Sequence, residues 1–138
     1  MGDASAKRPL PHLDDHNRAF WTGGAEGRLY ILRCRSCGAF IHPPRPVCGE
    51  CLSDAVEPEA VAGTGVVDTF TVNHQPWHPA LPPPYVIARV ALDGVPGVYL
   101  TTNIVGCGVD EVAIGDRVRV TFLPCEDVHL PVFEKVRD

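Results

Sequence analysis

Polar and apolar positions along this chain change rhythm twice. Residues 1–12 are polar apart from a few positions and hold Pro9 and Pro11, which predicts a loose arm. Residues 14–22, Asp14-Asp15-His16-Asn17-Arg18-Ala19-Phe20-Trp21-Thr22, read as a short helix. Asp14 or Asp15 can cap its start and Gly23-Gly24 is expected to stop it. Two turns are unstable alone, so Phe20 and Trp21 are expected to dock this helix on another element. Residues 28–33, Arg28-Leu29-Tyr30-Ile31-Leu32-Arg33, carry β-favouring side chains and predict a strand, and Ala39-Phe40-Ile41-His42 predicts a second, shorter one. Residues 52–63 read as a link.

From Gly63 the rhythm becomes that of short strands. Five are predicted, roughly over 65–72, 85–92, 97–103, 117–123 and 129–136. Residues 117–123 alternate polar and apolar as a half-buried strand does. Asp93-Gly94, Gly115-Asp116 and Glu126-Asp127 mark turns. Residues 104–114 have no strong period and leave room for one helical turn at Asp110-Glu111-Val112. Five strands in about 75 residues fit a small closed barrel of the OB type, which buries its own edges. The expected division is an arm with a short helix over 1–24, a four-cysteine module over 25–56 and the barrel over 57–138. The predicted class is mainly β.

Composition narrows the functional classes. Of 138 residues, 13 are Gly and 14 are Pro, which excludes a helix bundle or coiled coil. A hydrophobic share of 45% with 21% charged residues excludes general disorder. Twelve Lys+Arg against 17 Asp+Glu give a net charge of −5, which speaks against a nucleic-acid binder. No apolar run approaches the ~18 residues of a membrane span. Lys7 and Arg8 are followed by Pro9-Leu10-Pro11 and not by an apolar stretch, so no secretory signal is read. A cytoplasmic protein with reduced thiols is expected.

Four of the 6 Cys form two pairs, Cys34/Cys37 and Cys48/Cys51, ten residues apart. Each CxxC step places two thiolates on one tight knuckle. Two knuckles supply the four sulfurs that a d¹⁰ zinc ion accepts in a tetrahedron. Gly38 lets the first knuckle turn back toward its sulfurs. Two disulfides would need an oxidising compartment, and a redox dithiol uses one CxxC at a helix start. Iron stays open as the other metal that four thiolates hold. With every position filled by protein, either metal is structural or electron-transferring. Zinc would contribute directly to folding a module of this size. Cys107 and Cys125 are read as small buried hydrophobes.

These residues resemble a family: bacterial and archaeal proteins that join a rubredoxin-like zinc ribbon to an OB-fold domain, associated with acyl-CoA metabolism. The resemblance is carried by Phe20-Trp21, Arg33-Cys34-Arg35-Ser36-Cys37-Gly38 and His42-Pro43-Pro44-Arg45-Pro46-Val47-Cys48. It continues through Gly63-Thr64-Gly65-Val66-Val67, Phe70-Thr71-Val72, Pro84-Tyr85-Val86-Ile87-Ala88 and Val112-Ala113-Ile114-Gly115-Asp116-Arg117-Val118. Cys48-Gly49-Glu50-Cys51 departs from true rubredoxins, because no glycine follows the second pair. That departure favours zinc over iron. The resemblance implies a non-catalytic accessory subunit of a thiolase-like enzyme, in some cases with a MaoC-like hydratase as further partner. Thiolytic, acyl-transfer or retro-aldol chemistry, including steroid side-chain cleavage, belongs to that partner. The small subunit would stabilise it and help shape the channel for the coenzyme A thioester.

Three surfaces are candidates for such contacts. Arg28, Arg33, Arg35 and Arg45 surround the cysteines in a stretch, 28–49, without Asp or Glu. Arginine forks suit CoA phosphates or an acidic partner. Equally, they would balance the net −2 of a metal ion held by four thiolates. The loop 73–85 holds five of the 14 prolines with His74, Trp77, His78 and Tyr85. A stiff aromatic loop loses little entropy on binding a partner or acyl-CoA. No nucleophile stands near His74 or His78 in sequence, so no catalytic residue is assigned. Phe20 and Trp21 either pack inward or face a partner. The competing function is a nucleic-acid module, which zinc ribbons and OB folds often serve. Here the barrel strands offer only Arg89, Arg117, Arg119, Lys135 and Arg137. Electron transfer through iron and an independent enzyme are the weaker alternatives.

Overall fold

The structure is a computed structural model, and it describes residues 8–136. Residues 1–7 of the expected arm and Arg137 lie outside the described residues. Helix α1 spans Arg18–Thr22 and runs into a 3₁₀ turn, Gly23–Glu26. Strands β1 (Leu29–Cys34), β2 (Phe40–Ile41) and β3 (Val56–Val61) make a three-stranded antiparallel sheet in the order β2-β1-β3. Strands β4 (Thr64–Asn73), β5 (Tyr85–Leu92), β6 (Tyr99–Val105), β7 (Arg117–Cys125) and β8 (Val128–Lys135) close a barrel in the order β4-β5-β6-β8-β7. A 3₁₀ turn at Val109–Glu111 lies in the β6–β7 connection.

The mainly β class, the short helix, the four-cysteine module and the five barrel strands agree with expectation. Three details differ. The helix starts at Arg18, because residues 14–17 fold into a tight turn. There the Asp14 carboxylate accepts the amides of His16 and Asn17 at 2.8 Å each, and the Asn17 side chain accepts the Asp14 amide. The α-helix ends at Thr22 with Gly23 as its C-cap, as expected, but the path runs on as the 3₁₀ turn. A Cβ on Gly23 would sit 2.6 Å from the Arg28 carbonyl oxygen, and one on Gly24 2.6 Å from the Phe122 ring. Those glycines are there for close packing, and Gly27, at φ +73°, ends the turn instead. Finally, the stretch read as a link contains β3. The chain boundary expected at 56/57 falls inside that strand, which pairs along its length with β1 from Leu29↔Val61 to Cys34↔Val56. Pro58 is tolerated because β3 is an edge.

Burial alternates along β5 and β6 as the pleat requires, and the barrel is filled with Val67, Val86, Val90, Val118 and Phe133. Phe20, Leu29 and Ile31 join that same core, which fastens α1 and β1 to the barrel. The ribbon's own cluster is small: Leu32, Cys34, Ile41 and Cys48. One seam of the barrel is loose. The parallel strands β6 and β8 pair only at Ile104↔Phe133 and Val105↔Glu134. Pro131, lacking an amide hydrogen, stands below that point, and the Thr102 hydroxyl donates to its carbonyl at 3.1 Å.

Candidate metal centre and contact surfaces

The two knuckles are built alike. The amide of Gly38 donates to the Cys34 carbonyl at 2.9 Å, and the amide of Cys34 to that of Ala39 at 2.8 Å. In the second knuckle Leu52 donates to Cys48 at 3.0 Å, and Cys48 to Ser53 at 2.9 Å. Both turns need a left-handed residue: Gly38 has φ +83° and Leu52 φ +64°. The missing glycine after the second pair is therefore a leucine held in a glycine conformation.

This symmetry brings the four Sγ atoms within 4.8 Å of one another. Cys34–Cys51 are 3.6 Å apart and Cys37–Cys48 3.7 Å. Sulfurs on a tetrahedron at the usual zinc–sulfur length would be about 3.8 Å apart. The donor set thus fits a metal of the zinc-ribbon type. Main-chain amides face the sulfurs: Glu50 donates to Cys48 Sγ at 3.3 Å. The Cys37 and Ser36 amides hold the Cys34 thiol down at about 6, against burial. The Ser53 amide favours the Cys51 thiolate, but Cys34, burial and the other sulfurs override it and push that thiol up to about 12. Four thiolates so close repel one another unless a cation sits among them. Cys34 and Cys48 are buried, Cys37 and Cys51 exposed.

The acid-free stretch around this site is not an open basic patch. Arg33 reaches Glu59 at 3.0 Å, and Arg35 reaches Glu57 and Glu59 at 3.1 Å each, both acids on β3. Arg33 also donates to the Gly38 carbonyl at 3.0 Å and lies over the Phe40 ring, which braces the first knuckle. Arg28 and Arg45 are exposed, the latter beside Gly49.

In the loop between β4 and β5, Trp77 is 75% exposed, yet its Nε1 donates to Asn73 at 2.9 Å. His78 is committed to the loop, accepting the Ala80 amide on Nδ1 at 3.1 Å. His74 is exposed and Tyr85 half-buried. Of the two readings of Phe20, the structure has it inward: it is buried at 8% exposure, packed edge-on against Trp21 at 4.7 Å and beside His42 at 5.0 Å. Trp21 is half-buried. Sequence reasoning passed over His42, whose Nδ1 is shielded from solvent without a hydrogen-bond partner. Cys107 and Cys125 are half-buried.

A four-cysteine ribbon stitched by β1 and β3 to a five-stranded OB barrel defines the class. The comparisons place the chain within it. Residues 21–57 match the family described as "ChsH2, rubredoxin-like zinc ribbon domain" and residues 58–123 "ChsH2, C-terminal OB-fold domain". The chain belongs to this family of ChsH2-type, DUF35 proteins. It is 42% identical over 130 residues to a "Probable enoyl-CoA hydratase alpha subunit" of Thermomonospora curvata, covering 93% of this chain and 40% of that protein. It is 34% identical over 96 residues to a "DUF35 domain-containing scaffold protein" of Methanocaldococcus jannaschii, covering 68% of this chain and 67% of that one. A solved "Ltp2-ChsH2(DUF35) aldolase" matches with a TM-score of 0.82 and 37% identity, over 91% of this chain and 98% of that chain. The chain therefore spans less than half of the hydratase subunit but nearly the whole of the chain in the aldolase structure.

Proposed function

We propose that this protein is a non-catalytic accessory subunit that binds and stabilises a thiolase-like enzyme acting on acyl-CoA, with zinc as the resident metal. The observation that carries this reading is the end-to-end match to a chain from a structure named as an Ltp2-ChsH2(DUF35) aldolase. Retro-aldol or related carbon–carbon chemistry is then the partner's work, with a MaoC-like hydratase as a further partner suggested by the hydratase subunit. The loop with Trp77 supports it. A tryptophan three-quarters exposed and still held by Asn73 is pre-ordered for a contact and loses little entropy on docking. His74, His78 and Tyr85 belong to the same surface, and the exposed Arg45 would flank a second contact or the CoA phosphates at the ribbon, whereas Arg35, proposed from sequence for the same contact, is engaged by Glu57 and Glu59.

The nucleic-acid reading has less support. On the barrel, Arg89 pairs with Asp68, Arg117 with Asp93, Arg119 with Glu134 and Lys135 with Asp116. Cations already answered by carboxylates make a poor phosphate track. Co-expression with thiolase-like enzymes of the same organism is the test. Trp77→Ala is expected to leave the chain folded and to weaken the complex by about 2 kcal/mol, the scale of an aromatic hot spot. An enzyme that is soluble and fully active without this chain would refute the proposal.

A further inference from the structure

The loose β6–β8 seam opens onto a groove. At one end is a cavity of about 400 Å³ walled by Phe20, Trp21, His42, Pro43, Pro44 and Tyr99. A second cavity, of about 380 Å³, lies next to it against the arm Arg8-Pro9-Leu10-Pro11. The two adjoin along the β6 edge and share Trp21, Thr101, Thr102 and Pro131 as walls. Each is of ligand size by itself. The groove is polarised. Its ribbon end is aromatic and proline-lined, and its arm end carries, among the described residues, one cation, Arg8. Among the described residues no carboxylate lines either cavity. Arg8 is half-buried, and its one hydrogen bond among the described residues is to the neutral Asn103 side-chain carbonyl oxygen at 3.4 Å. It makes no ion pair among the described residues. Every cation on the barrel strands themselves has an acid partner, so Arg8 stands out.

The geometry points to a binding site for a long-chain carboxylate, its apolar chain along the seam toward Trp21 and its head on Arg8. A guanidinium fork matches a carboxylate in two hydrogen bonds. A single cation suits that single charge better than a phosphate dianion, which collects several donors. The apolar end offers stacked rings and proline faces to hydrocarbon, and covering it removes about 25 cal/mol of unfavourable hydration per Å². The site lies on this chain alone and does not depend on the accessory role proposed above.

The probe is 11-(dansylamino)undecanoate, whose fluorescence rises in an apolar site, displaced by laurate, dodecan-1-ol or dodecylammonium from the purified full chain. Laurate is expected to displace it well below its micelle concentration, and dodecylammonium at least about tenfold less well. Arg8→Gln should weaken laurate about tenfold and leave dodecan-1-ol unchanged, while Arg8→Lys restores part of the loss. Thr101→Trp, at the rim shared by both cavities, should block all three without touching Arg8. Equal displacement by the three head groups, no displacement at all, or Arg8→Gln equal to the parent overturns the site. Laurate binding by a chain that captures no enzyme partner would support this site and refute the accessory reading; the reverse result would refute this site alone.

Discussion

Leu52 sits 77% exposed at φ +64°, the position that Gly38 fills at φ +83° in the first knuckle. A side chain in that region costs about 1–2 kcal/mol through the clash of Cβ with the following carbonyl. Glycine removes the clash but gives back about 0.5–1 kcal/mol, because its unfolded chain has more freedom to lose. Leu52→Gly should therefore stabilise the ribbon by about 0.5–1 kcal/mol. For a domain of this length that is an increase in Tm of roughly 1–4 °C. Leu52→Ala is the control. It keeps Cβ, and so the strain, and deletes only a side chain that already meets water, so its effect should fall within about 0.5 kcal/mol of zero. The assay is thermal unfolding of the three proteins at one fixed free-zinc concentration, since metal binding itself shifts the midpoint. If alanine stabilises as much as glycine, or glycine does not stabilise, the backbone is not strained at residue 52 and the account of the second knuckle is wrong.

Metal removal should act locally. The ribbon cluster has four buried residues, two of them cysteines of the metal site, whereas Leu29 and Ile31 are held in the barrel core. Chelation should thus unprotect the knuckles to hydrogen exchange while β4–β8 stay protected, and uniform loss across the chain would contradict this. Burial lowers the pKa of His42 from 6.5 to about 4. The unfolded chain takes up that proton first as pH falls, so the stabilisation is full above pH 6.5 and drains away between 6.5 and 4. The ceiling is about 3 kcal/mol, and partial exposure reduces it to about 1–2. His42→Phe should flatten that part of the pH profile, measured by urea unfolding, and an unchanged slope would refute the assignment. Phe133 is fully buried at the barrel centre, so Phe133→Ala should cost about 3–5 kcal/mol in chemical unfolding. A loss below about 1 kcal/mol would mean the barrel collapses around the gap.

What the sequence made legible follows from the range of the forces involved. The cysteine spacing was readable because a knuckle is closed by bonds within five residues, Cys34 to Ala39 and Cys48 to Ser53. The alternation at 117–123 was readable because one face of β7 meets the core. Strand β3 was not, because Val-Glu-Pro-Glu-Ala-Val has no apolar alternation and contains a proline. Its existence depends on β1, more than twenty residues earlier, offering an unpaired edge. Gly23-Gly24 read as a stop because sequence shows a glycine's freedom but not the Tyr30 and Phe122 rings that demand its small size.

The basic stretch shows the same limit where it bears on function. Counted along the chain, residues 28–49 hold arginines and no acid, which fits either a phosphate site or cations that balance the metal's thiolates. Folded, Glu57 and Glu59 come across from β3 onto Arg33 and Arg35, and the patch becomes a brace for the metal knuckle. Arg8 shows the converse. In sequence it is one more cation in a polar arm. In the fold it is, among the described residues, the one charge on an apolar groove lined by Pro131 of β8, with the Asn103 amide oxygen beside it. Local charge density therefore misjudges both positions. What decides whether an arginine here is structural or free to bind is the element packed opposite it, and that is set by strand pairing across the whole chain.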